Sequence, residues 1–129
     1  MLLAYLIAAM AANRKTSFSA QDFRRLALAL PEAQESAHMG HPDFRVRGKI
    51  FATLSPPDAD WGMVKLTPEQ QKALVAREPE TFAPVPGGWG LRGATRVRLA
   101  NADENSLSFA LLTAWRNTAP KSLTGNLEE

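Results

Sequence analysis

The stretch from Phe44 to Leu54, FRVRGKIFATL, decides the fold because it predicts a β-hairpin. Residues 44–47 alternate apolar and basic side chains, which is the period of a strand with one buried face. Gly48 is a turn residue, and residues 49–54 are rich in strand-forming side chains, so they predict the returning strand. The hairpin carries basic residues and no acid.

A second basic strand is predicted over residues 95–99, with valine and leucine on one face and Arg96 and Arg98 on the other. The surrounding residues 89–100 also contain no acid. Extended runs begin at Ser36, after a loop of Glu and Gln residues. Further strands are predicted over residues 61–66 and 87–91.

Three helices are predicted from capping residues and apolar periodicity. The first spans about residues 19–30 and opens with a serine cap. The second spans about residues 67–77 and opens with a capping box that has proline at the first helical position. The third begins after Asn101 or Asp103 and ends at Pro120.

The order is therefore helix, three strands, helix, two strands, helix. Hairpin connections imply a mostly antiparallel sheet, and three amphipathic helices can cover one of its faces. The expected fold is an α+β two-layer sandwich with a five-stranded sheet. On the open face alternate residues meet solvent, so we expect Arg45, Arg47, Arg96 and Arg98 to lie there.

The composition is that of a small globular domain of 129 residues, 45% hydrophobic and 22% charged, with a net charge of +2. That charge is too small to indicate a nucleic-acid partner by itself, so the distribution of basic residues matters more. The absence of cysteine excludes disulfides, thiolate metal sites and cysteine nucleophiles, and it fits a reducing, cytoplasmic location.

The chain is expected to divide into an apolar extension (1–17), one domain (18–123) and a frayed tail (124–129). The apolar run is too short for a transmembrane helix and lacks the preceding positive charge of a signal peptide, so we expect no membrane association. Three interpretations of the extension stay open: a start site placed too early, with the true start at Met10 or later, a helix packing on the domain, or a cleaved export signal.

His38 and His41 are the only histidines. Three residues apart on one strand, they would lie on opposite faces, so a shared metal requires a turn at Gly40-His41-Pro42. Asp43 could add an oxygen ligand, or orient one imidazole as a base. These are weak patterns, and no nucleophile elbow or carboxylate pair stands out. We therefore expect no catalytic function, no bound metal and no cofactor.

The glycine-rich segment 87–93 lacks the spacing of a phosphate-binding motif, and it predicts a wing or hairpin loop. Trp89, between glycines, either enters the core or offers a flat face for stacking, and we expect burial. The other large aromatic residues that we assign to the core are Phe51, Trp61, Phe109 and Trp115.

Several anchor motifs in this chain resemble the signature of the MmcQ/YjbR-like family. They are the run from His38 to Val46 with Gly48 to Ala52, Met63 to Leu66 before the Pro68 helix, the Trp89 loop, and Ala114-Trp115 with Ala119-Pro120-Lys121. The resemblance covers about residues 18–123. It implies a two-layer sandwich similar to secretion-chaperone and frataxin-like folds. Members of the family are described as possible DNA-binding proteins, on the strength of a "double wing" fold comparison.

Two functions from different classes remain. The first is DNA binding by a basic sheet face and a wing loop, led by phosphate contacts and weakly sequence-specific. The second is a protein-interaction or adaptor domain, acting as a monomer or homodimer. The residues expected to contact nucleic acid are Arg45, Arg47, Lys49, Lys65, Trp89, Arg92, Arg96 and Arg98.

Overall fold

A computed structural model describes residues 18–54 and 60–125. The predicted extension 1–17, most of the loop after residue 54 and the end of the predicted tail lie outside these residues. The described strands are β1 Ala33–His38, β2 His41–Val46, β3 Lys49–Leu54, β4 Trp61–Lys65, β5 Phe82–Pro84 and β6 Ala94–Arg98. The described helices are α1 Ala20–Leu28, α2 Pro68–Arg77, α3 Gly88–Leu91, α4 Glu104–Thr118 and α5 Lys121–Thr124, with a 3-10 turn at Leu99–Asn101.

The three long helices begin where their capping residues predict. Ser19 and Asp22 form a reciprocal capping box at α1, and Thr67 and Gln70 form one at α2. Asp103 caps α4 by accepting a hydrogen bond from the backbone of the third helical residue. After Pro120, the short helix α5 continues the structure to Thr124.

The strands form one antiparallel sheet in the order β1-β2-β3-β4-β6-β5. The α+β fold with an open sheet is confirmed, although the described sheet has six strands instead of the expected five. The predicted Glu/Gln loop contains β1, which pairs with β2 along its whole length. The predicted strand at 87–91 is wrong: these residues form α3, and the fifth strand lies earlier, at β5.

The helices cover one face of the sheet, and the core lies between the two layers. Val64 and Val97 point into this core and are fully buried, together with Trp115 of α4. Gly62 lies against α1, where a methyl group would come within 2.5 Å of the Phe23 ring. The Trp115 indole donates a hydrogen bond to the Pro31 carbonyl at 2.9 Å, which ties α4 to the end of the first helical segment.

None of the helices in residues 18–54 and 60–125 is both long and apolar enough to cross a membrane.

Candidate nucleic-acid interface

The sheet face turned away from the helices, here called the outer face, brings the second basic strand beside β4. In this ladder Arg98 lies opposite Trp61, Arg96 opposite Met63, and Lys65 opposite Ala94. Because Val97 and Val64 point into the core, the residues that alternate with them belong to the outer face. The expected display of Arg96 and Arg98 on this face is therefore met, and Lys65 joins them.

A groove opens on the protein surface where β3 and β4 separate. Their pairing covers residues 52–54 of β3 and does not reach its first residues. A bulge between Phe44 and Arg45 shifts the pairing of β2 with β3 at the same end. The resulting open groove has a volume of about 460 Å³ and is lined by Arg45, Gly48, Lys49, Ile50, Lys65, Asn117 and Thr118.

The groove is basic, since its lining includes two lysines and an arginine and no acid. Lys49 and Lys65 are exposed, and neither forms an ion pair with any residue that the structure describes. Asn117 donates hydrogen bonds to the Lys65 carbonyl (3.2 Å) and to Gln70 Oε1 (2.7 Å), and so fixes the end of α4 beside β4. The C-terminus of a helix carries partial negative charge, so the positive charges of the two lysines also complement the C-terminal end of α4. A bound anion would approach the lysines from the solvent side.

Arg45 and Arg47 are paired with acids, although the hairpin sequence contains none. Arg45 donates to both oxygens of Asp43, with Nε–Oδ1 at 2.8 Å and an Nη–Oδ2 distance of 3.0 Å. Arg47 forms a similar fork with Glu32, with Nε–Oε1 at 2.6 Å. The hydrogen bond from Arg45 lowers the pKa of the Asp43 carboxyl below its usual value, with a smaller contribution from His38 and with burial opposing. The Arg47 hydrogen bond likewise lowers the pKa of Glu32.

Trp61 is a surface residue and not the core residue that we expected. It is partly exposed on the outer face, and two guanidinium groups lie over its ring. The Cζ atoms are 4.6 Å from the ring centroid for Arg96 and 4.5 Å for Arg98. These cation–π contacts hold the two arginines at one place without neutralising their charge.

Trp89, on α3, is also exposed, contrary to the expected burial, with 64% of the residue accessible. Gly87 enters this helix with φ +81°, and Gly90 lies so close to Val85 that a methyl group would overlap its carbonyl. Arg92 lies over the Trp89 ring, with Cζ 5.5 Å from the centroid. The same turn exposes 84% of Leu91, a residue that no sequence motif singled out.

His38 and His41 lie opposite each other and not on opposite faces of one strand, as a continuous strand would have required. Met39 and Gly40 form a two-residue turn with φ of 50° and 80°, so the histidines are partners at the end of the β1–β2 ladder. His38 Nδ1 is 2.8 Å from Oδ2 of the fully buried Asp43. Within the described part of the chain, no group of three His, Cys, Asp or Glu side chains could hold a metal.

Comparisons with known proteins identify a family and a solved structure of similar fold, and they indicate no activity. The YjbR family model matches residues 28–117. A solved structure, that of Deinococcus radiodurans protein DR2400 with the family-model domain DUF419, has a TM-score of 0.65 at 17% sequence identity, and the match covers 80% of each chain. At that identity the likeness concerns the fold alone. No curated protein matches the chain.

Proposed function

We propose that this chain, which belongs to the YjbR family, is a cytoplasmic nucleic-acid-binding domain that contacts the phosphate backbone through the outer face of its sheet. The observation that carries the proposal is the convergence of basic groups without acidic partners among the described residues. Lys65, Arg96 and Arg98 share the outer face, and Lys49 lies across the groove from Lys65. Such groups bind phosphates by releasing counterions.

The proposed phosphate contacts fall into two groups, according to whether an acidic side chain already binds the basic group. Lys49, Lys65, Arg96 and Arg98 are the main phosphate contacts. Arg45 and Arg47 are secondary, because Asp43 and Glu32 already bind them. Trp89, with Arg92 over its ring, offers a flat face on which an unstacked base can lie.

Specificity for base sequence is expected to be weak. The helices of the described chain that pack on the sheet lie on the face opposite Lys65, Arg96 and Arg98, so none of them is presented from the outer face to a major groove. Contacts to phosphate position a protein on nucleic acid without reading its sequence. The proposal is therefore backbone-led binding.

Fluorescence anisotropy with labelled duplex and single-stranded DNA, across a series of salt concentrations, tests the proposal. The affinity should fall steeply with salt, by a slope of about 0.9 for each duplex phosphate contacted. The double variant Lys49→Gln/Lys65→Gln should weaken binding and reduce that slope by about 2.

The matched control is Lys72→Gln/Lys121→Gln, which removes the same charge from exposed lysines on α2 and α5 that do not line the groove. This control should retain most of the affinity. An equal loss in both double variants would mean that net charge alone governs binding. No binding of either DNA at low salt would reject the proposal.

A protein-interaction function is the second candidate, and the exposed apolar side chains of α3 favour it. Trp89 and Leu91 are large, exposed and separated by a single residue. The variant Trp89→Ser/Leu91→Ser tests this function by multi-angle light scattering over a range of concentrations. A dimer that becomes a monomer in the variant supports self-association through α3. A wild-type protein that is monomeric at every concentration argues against it.

A further inference from the structure

The tip of the β1–β2 hairpin places two imidazoles side by side. His38 and His41 are direct partners in the ladder, so both side chains leave the sheet on the same face. Directly opposed residues of an antiparallel pair have Cβ atoms about 4.5–5.5 Å apart. Because a metal–imidazole bond is about 2.0–2.1 Å long, two histidines at this spacing can bind one ion between them.

The hydrogen bond from His38 to Asp43 selects the tautomer that ligates a metal. Asp43 is fully buried, and both of its carboxyl oxygens already accept hydrogen bonds from the Arg45 guanidinium, so Oδ2 faces His38 as an acceptor. His38 Nδ1 must therefore carry the hydrogen, which leaves the lone pair of the neutral ring on Nε2. A carboxylate behind a histidine is the arrangement that orients imidazole ligands in metal sites.

Asp43 itself is not available as a ligand. Both of its oxygens accept hydrogen bonds from Arg45, and Oδ2 also accepts the bond from His38. Because these hydrogen bonds occupy the Asp43 oxygens, the two histidines have no third ligand beside them, which agrees with the lack of a three-ligand group in the part of the chain that the structure describes. A metal held here would have two protein ligands, with its remaining positions open to water.

From this geometry we infer that His38 and His41 form an exposed site for one divalent transition-metal ion, oriented by Asp43. Imidazole ligands suit Cu²⁺, Ni²⁺ and Zn²⁺, and among these Cu²⁺ binds most tightly to a given nitrogen site. The His38 side chain is 43% exposed, so an ion reaches it without opening the fold. The inference is independent of the proposed nucleic-acid function.

Isothermal titration with Cu²⁺ alone, and separately with Zn²⁺ alone, tests the site in a non-coordinating buffer. The chain contains two histidines and no cysteine, so it has no other imidazole and no thiolate. We expect one ion per chain and tighter binding of Cu²⁺. His38→Gln and His41→Gln should each weaken binding by about tenfold or more, and Lys72→Gln, which keeps the pair, should leave it unchanged.

The variant Asp43→Asn tests whether Asp43 orients the His38 imidazole, because it leaves both metal-binding histidines in place. It should weaken Cu²⁺ binding by about 10–100-fold while both histidines remain. Because this residue is buried, nitrogen NMR of the imidazoles gives an independent readout in the unaltered protein. In its neutral ring, His38 should carry the hydrogen on Nδ1, and Zn²⁺ should shift the Nε2 resonance.

Two results would overturn the inference. One is wild-type affinity in the double variant His38→Gln/His41→Gln, which would place the ion elsewhere. The other is an unchanged affinity in His41→Gln alone, which would mean that a single imidazole binds the ion and that the facing pair has no role.

Discussion

The tripeptide Arg-Val-Arg occurs twice in this sheet, and its charge is treated differently in the two places. In β2 and the following turn it is residues 45–47, and in β6 it is residues 96–98. Both central valines are fully buried. The first pair of arginines is bound to Asp43 and Glu32, whereas the second pair lies over Trp61.

The neighbouring strand explains part of this difference. Each Arg-Val-Arg strand is second from an edge of the sheet, with β1 beside β2 and β5 beside β6. Glu32, immediately before β1, reaches Arg47. The edge strand β5 is Phe82-Ala83-Pro84 and has no charge to offer.

The second difference lies within the strands. Asp43 stands two residues before Arg45 and shares its face. The corresponding position before Arg96 is Ala94. The same tripeptide is therefore neutralised by acidic side chains at residues 45–47 and has no acidic partner at residues 96–98 among the described residues, because its neighbours differ. The free charge lies toward β4 and β6, which is where we place the phosphate contacts.

The largest expected effect comes from the glycines that flank the two segments. Gly48 follows the first Arg-Val-Arg and Gly93 precedes the β6 strand, and both have positive φ. A methyl group on Gly48 meets open space, whereas on Gly93 it overlaps the Leu66 carbonyl at 1.9 Å. We expect Gly93→Ala to reduce the free energy of unfolding by about 3 kcal/mol, and Gly48→Ala by about 1 kcal/mol. Urea denaturation measures both, and equal losses would contradict the steric argument.

The next effect is expected at the first Arg-Val-Arg segment. Asp43→Ala removes a buried carboxylate that binds Arg45 and His38. Because hydrogen bonds to charged groups contribute more than neutral ones, we expect the free energy of unfolding to fall by about 2 kcal/mol. The control is Asp103→Ala, which removes only a helix cap and should cost about 1 kcal/mol.

The Asp43 contribution should also depend on pH. Its pKa is lowered in the folded protein, mainly by the hydrogen bond from Arg45, so the unfolded chain binds a proton at higher pH than the folded one. The stabilisation is therefore complete above the unfolded pKa and is lost as the pH falls through the folded value. The difference in unfolding free energy between wild type and Asp43→Asn should be constant near neutral pH and shrink below about pH 4. A difference that grows on acidification would contradict the assignment.

The helices could be predicted from sequence because their signals are local. Ser19 and Thr67 each satisfy backbone groups within the next turn, so a few adjacent residues decide where α1 and α2 begin. The alternation of the basic strands is equally local. The partners of those strands are not, because β1 and β5 take their places in the sheet through non-local pairing.

The errors at the candidate site have the same origin. The sequence predicts Trp61 as a core aromatic residue, but the register places it opposite Arg98 on the outer face. Phe109 is predicted likewise as a core residue, yet it is 47% exposed and lies beneath the Arg77 guanidinium. The sequence leaves open whether the histidines share one strand or flank a turn, and Met39 and Gly40 form a turn between them. For Trp61 the strand register decided the orientation of the side chain, and for the histidines the turn did.

A smaller effect should follow from removing the ring beneath the second pair of arginines. Trp61→Leu deletes two cation–π contacts on a partly exposed surface, so we expect the free energy of unfolding to fall by about 1 kcal/mol. Trp89→Leu is the matched control, since that ring has one arginine over it and is mostly exposed. The control should be the milder of the two variants in urea denaturation. The reverse order would indicate that the Trp61 stack contributes nothing to stability.

The smallest change in stability is expected from Glu32→Gln, which releases Arg47 and makes the first Arg-Val-Arg segment resemble the second. The ion pair is exposed at both ends, so the denaturation midpoint should not change measurably. The released guanidinium adds a free charge near the groove, so the salt slope for duplex DNA should steepen by up to about 0.9, the value of one phosphate contact. Glu80→Gln, an exposed acid that holds no described arginine, makes the same change in net charge and serves as the control. If both variants steepen the slope equally, net charge governs binding; if only Glu32→Gln does, the edge strand sets which arginines are free to bind phosphate.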